Sequence, residues 1–172
     1  MRERMITGEA FFLDVAKIAI TIAGFFGVVA ALGLPHERGW EPSDIGGLKL
    51  MLEHSLGAVV AGLLPSGLSM YNQTEAPIWF FCSLLLCGFL AYAMFIQVAR
   101  ILGSASTTGV RPQFPRLLLF LFFPPTLMVL LLNTWNTFSL QEPWPYALGV
   151  FWLLFRAGFQ FVLFLIRIKP KT

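Results

Sequence analysis

Five stretches of the chain are strongly apolar, 18–34, 48–71, 78–99, 117–132 and 146–166, and short polar segments separate them. A helix that crosses a bilayer takes about 20 residues, so each stretch is read as a spanning helix. The first is interrupted only by the mildly polar Thr21 and stops at Pro35, which cannot continue the hydrogen-bond ladder. It is longer than the apolar core of a secretory signal, and Glu3, Glu9 and Asp14 precede it where such a signal is basic. The second is the least apolar. It holds Glu53, His54, Ser55, Pro65, Ser66 and Ser69, so it belongs in the interior of a bundle. Ser43 is a candidate N-cap, which starts that helix near Asp44 and brings it into hydrocarbon near Ser55. The fourth is the shortest and carries Pro124 and Pro125 at its middle. It is read as a kinked span that hinges there, with a re-entrant pair of half-helices as the alternative.

Composition moves the reading from helical to integral membrane. Of 172 residues 57% are hydrophobic and 12% charged, with a mean hydropathy of +0.75; soluble domains have about 45 to 50% and about 25%. Five spans of about 20 residues use about 100 positions, which leaves no room for a separate catalytic domain. The expectation is one all-α transmembrane domain over residues 1–172. A net charge of +3 in a soluble chain would suggest nucleic acid, but here the cations sit at the ends of apolar runs and no nucleic-acid partner is expected. With five spans, Arg38, Lys49, Arg100, Arg111, Arg116, Arg167, Lys169 and Lys171 fall on one side, while Arg2, Arg4 and Lys17 fall on the other. The richer side should be cytoplasmic, with the N-terminus outside and the C-terminus inside. Trp40, Trp79, Trp135 and Trp144 all lie near predicted helix ends and read as interface anchors. Cys82 and Cys87 lie in one apolar run on different helix faces and read as small hydrophobes.

Several intramembrane positions are candidates for more than packing. Ala19, Ala23, Gly27 and Ala31 recur every fourth residue on the first helix, and Gly57 with Ala61, flanked by Ala58 and Gly62, do so on the second. Small residues at this spacing let backbones approach, either between the two helices of one protomer or across a homodimer seam. Arg156 lies about ten residues, or about 15 Å of helix, from either end of the fifth run. A charge at that depth faces a partner or water, and Glu53 is its natural counter-charge. Glu53 and His54 also suggest a proton relay, although neighbours on a helix point about 100° apart. Asp14 and Lys17 are spaced to meet on one helix face. His36, Glu37, Glu41 and Asp44 crowd the first loop without a ligand spacing, so no metal or other cofactor is expected. A glycine-rich phosphate loop, a nucleophile elbow, HExxH and CxxC are all absent, which argues against enzymatic chemistry.

Ala23-Gly24-Phe25-Phe26-Gly27-Val28-Val29-Ala30-Ala31-Leu32-Gly33, then Trp40, Asp44, Leu52-Glu53-His54-Ser55-Leu56, Pro65, Trp79 and Ser83 form a pattern over roughly residues 18–85. It resembles a group of small polytopic bacterial inner-membrane proteins of unassigned activity, from which the chain departs at Gly47 and Lys49, where that group is often basic. The resemblance implies a bacterial cytoplasmic membrane and supplies no functional residue.

Two functional expectations follow. One is a non-enzymatic multi-pass protein, a scaffold, accessory subunit or homo-oligomer, whose partners are the lipid bilayer and itself or another membrane protein. The other is a small ion or solute channel or transporter, with Glu53, His54 and Arg156 as its polar interior and Pro124-Pro125 as its hinge.

Overall fold

The computed structural model describes residues 8–31, 42–71, 74–107 and 113–168, and every element among them is helical. Helix α1 runs Glu9–Ala31, α2 Pro42–Ser69, α3 Glu75–Thr107 and α4 Gln113–Trp135; a π-helical turn covers Asn136–Leu140, and α5 runs Pro143–Ile168. Four of them, over Glu9–Val29, Ile45–Ser69, Glu75–Ala99 and Pro143–Leu163, are long and apolar enough to cross a membrane. The segment Gln113–Trp135 is one α-helix of 23 residues that runs through Pro124 and Pro125 without dividing into half-helices. Trp40, His36, Glu37, Glu41 and the basic residues Arg2, Arg4, Arg38, Arg111, Lys169 and Lys171 lie outside the described residues. For Ala31, Ser43, Asp44, Arg100, Arg116 and Arg167 only the helical backbone is described.

Local chemistry explains the helix ends better than hydropathy does. Gly8 takes φ +83°, a left-handed conformation that favours glycine, and its carbonyl accepts the Phe12 amide as α1 begins. Helix α2 starts at Pro42, one residue before the expected Ser43 cap, because proline's fixed φ and missing N–H suit the first helical position. Glu75 in the first turn of α3 complements the positive end of the helix dipole. The expected loop 133–145 is largely helical: the π turn continues α4, and only Gln141 and Glu142 separate it from α5. Gln141, at φ 51°, ends the π turn by donating its amide to the Asn136 carbonyl at 2.9 Å. Hydropathy marks the part of a helix that suits hydrocarbon, whereas the ladder of hydrogen bonds runs on into the interface. Helix α3, with 33 residues, is therefore about 50 Å long, well beyond a hydrocarbon layer of about 30 Å.

The described chain forms two compact units, and α5 contributes to both: residues 1–73 with 150–172, and residues 74–149. In the first unit α1 and α2 pack along each other, with Phe12, Val15, Ala16, Ala19, Ala58 and Ala61 buried. They come close at Gly62, where a Cβ would stand 2.7 Å from the Phe12 carbonyl oxygen and 3.0 Å from the Ala16 Cβ. Val29 and Met51 form a second contact, on which Ile22, Leu48, Leu52 and Phe161 of α5 pack, and the Phe25 and Phe161 rings meet edge to face at 5.4 Å. In the second unit α3, α4, the π turn and the first turns of α5 bury Ile78, Trp79, Cys82, Leu86, Leu90, Val129 and Tyr146.

Candidate functional site

Beside an apolar core that includes Phe12, Met51, Trp79 and Leu90, the long helices bury several polar side chains and expose many large apolar ones. His54, Ser55, Ser83, Thr126, Asn133, Asn136, Thr137 and Arg156 are all buried, whereas Phe11, Ile20, Val60, Phe95, Met128, Leu131 and Phe151 are exposed. So much exposed large apolar surface is unusual for a protein folded in water.

In the first unit Arg156 is 2% exposed and His54 1% exposed. His54 Nδ1 lies 2.6 Å from the Leu50 carbonyl oxygen. A carbonyl only accepts, so Nδ1 is the donor of this bond. Ser55 is fully buried, and its Oγ has no hydrogen-bond partner among the described residues. Glu53 is half-buried, with Oε1 3.9 Å from Lys49 Nζ, and the lysine is well exposed. Asp14 and Lys17 meet as their spacing predicts, Nζ to Oδ1 at 2.9 Å on an exposed face.

The second unit holds a network that sequence reading did not single out. Asn136 uses its whole amide: Nδ2 donates to Ser83 Oγ at 2.8 Å and to the Glu142 carbonyl at 2.9 Å, while Oδ1 accepts the Glu142 amide at 2.9 Å. Asn133 Nδ2 donates to the carbonyls of Val129 and Pro145, both at 3.0 Å. Thr137 Oγ1 donates to the Asn133 carbonyl at 2.9 Å. These bonds tie the π turn to α3 and to the start of α5. Gly149 completes the packing, since a Cβ there would overlap Leu86 Cδ2 and stand 3.0 Å from Asn133 Nδ2. The available signal was Asn133, Asn136 and Thr137 at helical spacing, in a stretch read as a loop.

The sequence-derived positions divide accordingly. Ala19 and Ala61 are buried in the first unit, Ala23 and Gly57 are half-buried, and Gly27 is exposed with nothing near a Cβ. The tight crossing thus lies on Ala16 and Gly62, about three turns from Gly27 along α1. Trp79, expected as an interface anchor, is instead buried, its ring centroid 6.1 Å from that of Tyr146, because it shares the face of α3 that carries Cys82, Ser83 and Leu86. Trp135 and Trp144 are exposed. Cys82 and Cys87 are both free thiols, and Cys87 Sγ lies 3.6 Å from Thr134 Oγ1. Among the described residues, no group of His, Cys, Asp and Glu could hold a metal ion. Compared with protein-family models, curated proteins and solved structures, the chain matches none.

Proposed function

We propose that the chain is a five-span integral protein of a bacterial cytoplasmic membrane, N-terminus outside and C-terminus inside, that acts without catalysis as a scaffold or accessory subunit. The observation that carries this reading is the large exposed apolar surface of the long helices, beside an interior that also takes in amides, hydroxyls, His54 and Arg156. Polar groups in such an interior hold helices to one another, and the Asn136 network does so with every bond inside the chain. The near-complete burial of Arg156 and His54 supports a closed bundle over the alternative of a hydrated channel.

The test is purification of the tagged protein in mild detergent, with mass by light scattering and co-purifying proteins by mass spectrometry. A stoichiometric membrane partner, or a defined oligomer, is the expected result. A monomer without partner that conducts ions or solutes in liposomes, and loses that flux on Arg156→Leu, overturns the reading in favour of permeation.

A further inference from the structure

Asp14, Lys17, Thr21, Gly24 and Val28 recur at steps of three and four residues and so form one stripe along α1. The stripe runs about 21 Å on the side turned away from Phe12, Val15, Ala16 and Ala19, and every member is exposed. Outward faces elsewhere suit lipid: Phe81, Leu85 and Phe95 on α3 and Leu148, Phe151 and Phe155 on α5 are exposed and apolar. The α1 stripe does not. It carries an ion pair inside the apolar window Glu9–Val29, with Lys17 about 12 Å along the helix from Glu9, and charges at such depth call for a partner or water.

The bond within the pair, Lys17 Nζ to Asp14 Oδ1 at 2.9 Å, uses one carboxylate oxygen and one ammonium proton. Oδ2 and the remaining N–H groups are left for a surface of the same mixed charge. Thr21 turns its hydroxyl back to the Lys17 carbonyl at 2.9 Å, and a Cβ at Gly24 would meet nothing within 4 Å. Below the charges the stripe is therefore low enough for another helix to come close. All copies of a membrane protein insert in one orientation, so a second α1 lies parallel to the first. We propose that this stripe is the seam of a parallel homodimer, with Asp14 of each copy bonded to Lys17 of the other and Gly24 against Gly24. The inference rests on the scaffold reading and names the partner as a second copy of the chain. Across a two-fold axis equivalent residues lie level, and Asp14 and Lys17 are about 4.5 Å apart along the helix, a step that the lysine stem spans. The four charges then alternate in sign around the axis. Steps of three and four residues are those of a left-handed crossing of about +20°. Ala19, which the sequence places in a small-residue seam, packs inside the first unit instead, and the seam moves to the polar side of α1.

The experiment uses the full chain in mild detergent, with mass by light scattering and pairing read by co-expressing copies that carry two different tags. Wild type should run as a dimer. Gly24→Leu meets nothing within its own protomer and should weaken the dimer at least about tenfold. Asp14→Lys makes the charged part of the stripe wholly cationic, and Lys17→Asp makes it wholly anionic. Each should fail to pair with itself, yet the two should co-purify with each other at the wild-type yield, because every cross pair is again of opposite sign. A mixed pair no stronger than either variant with itself overturns the proposal. So does a dimer untouched by Gly24→Leu, which would leave the oligomer standing on another surface, and so does a different membrane protein bound in place of the second copy. A wild-type monomer that conducts ions or solutes in liposomes is a failure of the scaffold reading itself, and the flux tells that case from a misplaced seam.

Discussion

Replacing Asn136 by Leu should unlock the junction between α3, the π turn and α5. The side chain is fully buried and makes three bonds, two to the backbone of Glu142 and one to Ser83. Net contributions of about 0.6 kcal/mol for the bond to Ser83 and about 0.5 to 1 kcal/mol for each local bond to Glu142 give about 2 kcal/mol. The buried Ser83 hydroxyl then loses its partner, which adds about 1 kcal/mol. Glu142 is exposed, so its backbone groups rehydrate and add little. The expected loss is about 3 kcal/mol, read from unfolding in mixed micelles by titration with sodium dodecyl sulfate and far-ultraviolet circular dichroism. Ser83→Ala in the Asn136→Leu background should restore about 1 kcal/mol, because it removes the stranded hydroxyl. A loss below about 0.5 kcal/mol, within the range of an ordinary surface change, would refute the argument. So would a Ser83→Ala penalty that is the same in both backgrounds.

Other substitutions separate tight contacts from open ones. Gly62→Ala should cost about 1 to 3 kcal/mol by forcing α1 and α2 apart, since its Cβ meets the rigid Phe12 carbonyl; micelle unfolding at wild-type stability would show that the crossing yields. Gly27→Leu points into open space, so stability should change by less than about 0.5 kcal/mol. If that variant also keeps the wild-type crosslinked oligomer, the exposed face of α1 is not the seam. Gly149→Ala should cost about 1 to 3 kcal/mol, because Leu86 and Asn133 must both move; an unchanged unfolding midpoint would mean that the Leu86 side chain simply turns away. Pro125→Ala restores an amide in the interior of α4 and should raise the midpoint. A fall would point to a kink that the surrounding packing uses.

The apolar runs alone pointed to a helical chain and marked the four helices that, among the described residues, are long and apolar enough to cross a membrane. Hydrocarbon offers no partner to the backbone, so each spanning segment must satisfy its own hydrogen bonds, and that requirement is local in sequence. The i,i+3 and i,i+4 ion pairs Asp14–Lys17 and Lys49–Glu53 follow from helical spacing in the same way, although only the first was read from it.

Tertiary structure decided which small residues touch, where Trp79 goes and what Asn136 does. Helices apolar all round carry no stripe that names the buried side, and in lipid their rotation is set by packing with neighbours. Gly27 and Gly62 therefore look alike as letters, yet one faces open space and the other lies against the Phe12 carbonyl. Trp79 near a helix end fits an anchor and a core residue equally well until the phase of α3 is known. The bond of Asn136 to Ser83, 53 positions away, joins the π turn to α3 and is not visible in any local spacing. Local patterning sets the helices, because each one satisfies its backbone hydrogen bonds within its own segment, and only their packing in three dimensions chooses the contacts between them.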